Sequence, residues 1–231
     1  MYGLMRVGAE VLGFGSGPLP MLLFGARRMN AEAAVMVTGA AAPPEYNGVR
    51  LFLHGCRIGA RGLLAVTDCA ACRDFTSGAG SKRDVQIAES YVSRLAQLGT
   101  DRMSSINAVW DAGCGLASPL IRELTRQLNG HHLVLNETSG KNRRVASGRR
   151  QSGCHLEPLA SAVVHGHCHV GFAFDATGER MVALDSQGRI LPLAQTSCTG
   201  TSDTDGNVSD PFRQSVMLCA KYAEAVRNNS A

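Results

Sequence analysis

Val35-Met36-Val37-Thr38-Gly39-Ala40-Ala41-Ala42-Pro43-Pro44-Glu45-Tyr46-Asn47-Gly48-Val49-Arg50 reads as a strand, a loop and the start of a second strand. The run Ala33 to Thr38 (AAVMVT) is short and apolar, the pattern of a buried strand. Paired prolines at 43 and 44 stop both a helix and a sheet ladder, so 38–44 is a loop, and Val49 to Leu53 resumes as a strand. Upstream, Ala9 to Phe14 is a strand candidate closed by Gly15-Ser16-Gly17-Pro18. Leu19 to Met29 then reads as a helix with Arg27 and Arg28 in its last turn, where cations suit the helix dipole. The order is β-α-β, with a loop at a strand's carboxyl end.

Downstream, Leu63 to Arg73 is weakly helical, and Gly78-Ala79-Gly80-Ser81 is a hinge before a helix from Val85 to Leu98, whose apolar residues recur at helical spacing. A second alternation follows: strand Ile106 to Trp110, helix Leu116 to Leu128, strand His132 to Leu135, helix Leu156 to Val164 and strand Val170 to Phe174. Met181 to Leu184 and Arg189 to Leu191 read as strands around the turn Asp185-Ser186-Gln187-Gly188. Gln195 to Asp210 is rich in Thr, Ser, Gly and Asp and reads as a linker before a helix from Pro211 to Val226. The expected organisation is one α/β unit over 1–80, a second over 81–194, and a linker with a C-terminal helix over 195–231.

Composition agrees with many short elements joined by tight turns. The 231 residues include 26 glycines, are 45% hydrophobic and only 5% aromatic, which suits an α/β protein better than a helical bundle. The formal charge of +4, from 23 basic and 19 acidic residues, can attract phosphorylated ligands and does not imply nucleic acid. The apolar stretch Val11 to Ala26 is broken by Gly13, Gly15, Gly17, Pro18 and Pro20 and is short of a membrane span. Met1 to Arg28 shows no leader-like order of basic start, apolar centre and cleavage site, so the expected location is the cytoplasm, with no membrane partner.

Eight cysteines are scattered over a chain too long for a disulfide miniprotein, and they read as buried free thiols. Cys69-Ala70-Ala71-Cys72 has zinc-ligand spacing without a second pair. His165-Gly166-His167-Cys168-His169 is a second conceivable metal cluster at a turn before a strand. The basic run Lys141, Arg143, Arg144, Arg149 and Arg150 reads as a solvated loop.

The quoted segment resembles the active-site segment of the phosphohexomutases, the phosphomannomutase and phosphoglucomutase type, whose pattern is T-[GA]-S-H-N-P-x-x-Y-N-G-x-K. Two more stretches follow in that family's order. Asp111-Ala112-Gly113-Cys114-Gly115 is similar to its D-[AP]-G-N-G turn, and Gly171 to Arg180 is similar to its G-x-A-x-D-G-D-x-D-R metal loop. Asp185-Ser186-Gln187-Gly188-Arg189-Ile190 is similar to its D-x-x-G-x-[IVL] hairpin. The resemblance covers about residues 9 to 192 and implies two consecutive α/β domains of mixed-sheet, three-layer form plus a C-terminal tail helix. The first domain would be partial. The loops G-E-x-S-G-H and R-x-S-G-T-E-P, which the family carries in its third and fourth domains, have no counterpart among these residues.

The resemblance implies a phosphoryl transfer between two hydroxyls of a hexose phosphate through an enzyme phosphoserine. That chemistry needs a nucleophile, a cation on the transferring oxygens and a group to handle the hydroxyl proton. The phosphoserine position falls on Ala40, whose methyl has no lone pair, and the neighbouring His and Asn fall on Ala41 and Ala42. The three metal-loop aspartates fall on Asp175, Thr177 and Glu179, a depleted set for which magnesium binding is expected to be weak or absent. Arg50 and Arg180 match basic positions beside the phosphoserine; Arg50 cannot accept a proton but can bind phosphate through two N–H groups. Three readings follow: a mutase homologue of carbohydrate metabolism inactive as written, a non-catalytic sugar-phosphate-binding or interaction module, and a zinc protein through the His and Cys groups.

Overall fold

The computed structural model describes residues 1–38, 45–73, 75–99, 106–137, 156–191, 196–197 and 209–228. Ala40, the basic run at 141–150 and most of the expected linker lie outside them. The chain begins with α1 (Tyr2–Arg6) and β1 (Glu10–Gly13), then α2 (Leu19–Arg28), entered through Pro18 and ended by Arg27 and Arg28. A hairpin of β2 (Ala33–Thr38) and β3 (Gly48–Leu53) follows, with register pairs Met36 to Arg50 and Thr38 to Gly48. His54 and Gly55, both at positive φ (48° and 79°), make the two-residue turn to β4 (Cys56–Arg57). Then come α3 (Ala60–Cys72) and β5 (Ser81–Asp84), which pairs parallel with β1.

The larger sheet is built from β6 (Asn107–Asp111), β7 (His131–Leu135), β8 (Val170–Phe174), β9 (Arg180–Asp185) and β10 (Thr196–Ser197), in the order β10-β9-β8-β6-β7. β6 pairs parallel with β7 and β8, whereas β8–β9 and β9–β10 are antiparallel, so the sheet is mixed. α4 (Ala88–Ala96), α5 (Ser118–Gln127) and α7 (Pro211–Asn228) cover one face, and α6 (Glu157–His165) covers the other. Strand alternation sorts the side chains: Ala108, Trp110 and Phe172 enter the α4/α5/α7 layer, while Val109 and Ala173 meet Leu159 and Val163 of α6. The result is a three-layer α/β/α unit, and β6 and β8 read as nearly continuous apolar runs because both their faces are covered.

α2 serves two cores at once. Leu19, Leu23 and Ala26 pack on Ala34 and Phe52 of the hairpin, while Met21 and Phe24 reach the core of the larger unit. Aromatic rings continue that second contact: Phe24 meets Tyr91 at 5.4 Å between centroids, Tyr91 meets Phe212 at 6.1 Å, Phe212 meets Phe174 at 4.9 Å and Phe174 meets Trp110 at 6.4 Å.

Four differences from the sequence reading have clear causes. The Ala33 to Thr38 strand is not buried throughout: Ala34 is covered by α2, but Val35 and Val37 lie on the opposite face with Val49 and Leu53 and are exposed. Ser81 to Asp84 forms a strand although all four side chains are exposed, so it carries no apolar signal. Arg189 to Leu191 is not a full strand, since Ile190 makes only a single bridge to Leu184 beyond the Gly188 turn. Cys168 and Cys219 are buried thiols as expected, but Cys56 is exposed on β4, and Cys69 and Cys72 are exposed because α3 buries no residue. No described helix is long and apolar enough to cross a membrane.

Candidate active site

Two loops leave the carboxyl ends of the adjacent parallel strands β6 and β8, the edge at which α/β sheets usually hold ligands. After β6, Asp111 Oδ1 accepts hydrogen bonds from the Gly113 N–H and the Asn136 amide, both at 2.9 Å. This draws the chain into a tight turn in which Gly113 and Cys114 take positive φ (61° and 53°). The turn packs directly on the second loop. A Cβ at Gly115 would lie 2.0 Å from the Ala176 carbonyl oxygen, and one at Gly113 would lie 2.5 Å from that of Phe174. The Leu116 N–H donates to the Ala176 carbonyl at 2.9 Å and completes the join.

The second loop connects β8 to β9 and folds around Asp175. Its Oδ1 accepts from the backbone N–H groups of Glu179 (2.9 Å) and Arg180 (3.1 Å), and its Oδ2 accepts from the Thr177 hydroxyl (2.7 Å). Asp175 therefore works as the internal organiser of the loop. Gly178, at φ 68°, turns the chain where a side chain would meet Pro18, Phe212 and Ala117. That turn carries Glu179 inward, where it is only 7% exposed.

Glu179 meets the first unit there. Arg50 on β3 donates from Nη1 to Glu179 Oε2 at 2.6 Å, an ion pair between residues 129 apart in sequence. The other carboxylate oxygen, Oε1, is buried and has no hydrogen-bond partner among the described residues. Arg180 behaves differently: it is exposed and forms no ion pair among the described residues. The structure thus joins Arg50 to Glu179, groups Asp175 with Thr177, and leaves Arg180 exposed and without an ion pair among the described residues. The pairing of Arg50 with Glu179 is the feature sequence reasoning missed. Its only signal was opposite charge at two motif positions, and nothing in the local pattern joins them.

The magnesium set that the resemblance implies does not fit these side chains. Asp175 has both oxygens engaged within its own loop, the Thr177 hydroxyl is turned to Asp175, and Glu179 Oε2 is held by a guanidinium. Among the described residues no three His, Cys, Asp or Glu side chains converge as metal ligands. That holds for the His and Cys groups too. Cys69 and Cys72 are exposed on α3, Cys168 Sγ donates to the Gly166 carbonyl, and His169 Nδ1 accepts from the Asn107 N–H at 2.9 Å. His132 is committed to the fold: its Nδ1 accepts from the Trp110 indole at 3.1 Å. Burial lowers the His132 pKa, against a raising hydrogen bond to the Asn129 carbonyl. Two crevices, one between α2 and the β3–β4 turn and one lined by Tyr91, Arg94, Asp210 and Arg213, contain none of these loop residues.

The site is thus a carboxylate loop at the end of β8 in a mixed three-layer sheet, braced by a glycine turn after β6. Known proteins show which family shares this chain's sequence and fold. Residues 1–75 match the family model described as phosphoglucomutase/phosphomannomutase, alpha/beta/alpha domain I. The chain is 30% identical over 198 residues to a phosphoglucosamine mutase of Limosilactobacillus reuteri, covering 82% of this chain and 43% of that protein. It is also 30% identical over 208 residues to one of Prochlorococcus marinus MIT 9303, covering 82% and 42%. A crystal structure of a phosphoglucomutase/phosphomannomutase family protein from Burkholderia thailandensis superposes with a TM-score of 0.67 at 26% identity, covering 83% of this chain and 43% of that one. The chain belongs to the α-D-phosphohexomutase family, and it spans less than half the length of these relatives.

Proposed function

We propose that this chain is a phosphohexomutase homologue that recognises a hexose phosphate but does not run the family's phosphoryl relay. The observation that carries this reading is Ala40 at the phosphoserine position, where no side-chain oxygen is available to take or donate a phosphoryl group. The site adds support, because Arg50 is committed to Glu179 and cannot also clasp a phosphate without giving up that buried partner. Arg180, exposed and without an ion pair among the described residues, is then the guanidinium of the two that can hold a phosphate through two N–H groups. Relatives named as phosphoglucosamine mutases bring hexosamine phosphates into the ligand class beside mannose and glucose phosphates. Cytoplasmic location, and a division into units near residue 80 and residue 194, belong to the same proposal.

The test joins turnover with binding. A coupled mutase assay with mannose, glucose and glucosamine phosphates plus the bisphosphate activator is expected to show no turnover above background. Calorimetry with the same sugars is expected to show binding that Arg180→Ala weakens about tenfold or more, the loss of one charge-assisted contact. Robust turnover would overturn the inactive reading. Absence of heat in both proteins would leave the second reading, an interaction module built on the retained scaffold.

A further inference from the structure

An almost fully buried carboxylate needs a counter-charge, because an unpaired one is too costly to keep ionised away from water. At Glu179 that counter-charge comes from the protein itself. Arg50 reaches across from the hairpin to within 2.6 Å of Oε2, and Oε1 is buried without a hydrogen-bond partner among the described residues. The rest of the loop is held by its own groups, since Asp175 accepts from the Thr177 hydroxyl and two backbone N–H groups, with both oxygens engaged.

We infer that Arg50 is the permanent, built-in counter-ion of the 175–180 loop, taking the structural place of an exchangeable divalent ion and stapling β3 to the larger α/β unit. Three physical consequences support the assignment. A divalent ion entering at Glu179 would share one carboxylate with a guanidinium and be repelled by it. A guanidinium is planar and more weakly hydrated than an ammonium, so it suits a partly buried pairing with a carboxylate. The loop is also already closed by its own hydrogen bonds, so its order does not depend on an ion. The inference holds whether or not the chain turns over a hexose phosphate, and the mutase and calorimetric results leave it untouched.

The experiment uses the full chain and Mn2+ as a paramagnetic probe. Wild-type protein is expected to bind no Mn2+ dependent on Glu179 at millimolar ion, and its Tm is expected to be the same in EDTA and in Mg2+. Arg50→Met and Glu179→Gln are each expected to lower Tm by about 5 °C or more, and the double variant by no more than the worse single one, as for two ends of one buried interaction. Arg50→Lys, which keeps the charge, should recover part of the loss if a single variant folds poorly. Stoichiometric Mn2+ binding to the wild type that Glu179→Gln abolishes would overturn the inference. So would additive Tm losses in the double variant.

Discussion

Asp210 shows how one residue can serve two elements and be strained electrostatically by doing so. Its Oδ1 accepts from the backbone N–H groups of Phe212 (2.9 Å) and Arg213 (3.2 Å), the N-cap of α7, and its Oδ2 accepts from the Tyr91 hydroxyl of α4 (2.8 Å). Burial raises its pKa, more than those hydrogen bonds and the nearby Arg213 lower it. Arg27, Arg94 and Arg213 are the basic groups that line the same crevice. Because its folded-state pKa lies above the unfolded value, the folded chain holds the proton more tightly. The contribution to stability is full below the ordinary carboxylate pKa of about 3.9 and is lost as pH rises through the raised value. Asparagine keeps the cap and cannot titrate, and its amide can face Tyr91. The Tm of Asp210→Asn plotted against pH is therefore expected to lack a downward component present in the wild type above about pH 4. Identical slopes in the two proteins would refute it.

At the scale of elements, the site is held by turns packed on turns. Gly115 has no room for a side chain: an added Cβ would lie 2.0 Å from the Ala176 oxygen and 2.4 Å from its Cα, both backbone atoms that cannot swing away. Gly115→Ala must separate the β6 turn from the β8–β9 loop, and with it shift Glu179 from Arg50. The expected cost is about 2–4 kcal/mol, read from the urea midpoint, with the loop displaced. A loss under about 0.5 kcal/mol, the size of an ordinary surface change, would show that the two turns are not tightly joined.

The motif that contains Gly115 was legible in the sequence through its resemblance to a family turn rather than through any local pattern. β6 and β8, short apolar runs, and α2, whose proline entry and arginine exit mark its ends, were legible from local causes. β5 was not legible, since Ser-Lys-Arg-Asp has no apolar face and is a strand only because β1 lies beside it. The Arg50–Glu179 pair was hidden for a related reason: each partner is placed by its own element, and their meeting is a property of how the two units dock. Asp175 was read as a ligand, whereas three hydrogen bonds turn it toward its own loop.

Across the whole molecule, covered and uncovered surfaces are distributed unevenly. Trp110, Ile121, Leu124, Phe172 and Phe212 are fully buried around β6 and β8, and α2 extends that core toward the hairpin. The opposite face of the hairpin exposes Val35, Val37, Val49 and Leu53, and α3 beside it in sequence exposes Leu63, Leu64 and Val66 and buries nothing. A helix of 13 residues without a packed face is marginal in water, and α3 ends on Arg73 in the left-handed region (φ 54°) rather than on glycine. Its opening should therefore be local and nearly free, while amides of β6 and β8 open only with the whole unit. Hydrogen exchange of the full chain is expected to show peptides within 60–72 exchanging at close to the unprotected rate, and peptides within 107–111 and 170–174 protected by several orders of magnitude more. Protection of α3 equal to that of β6 would mean that its apolar residues are covered in solution, and the uneven distribution of stability argued from the exposed surfaces would then be wrong.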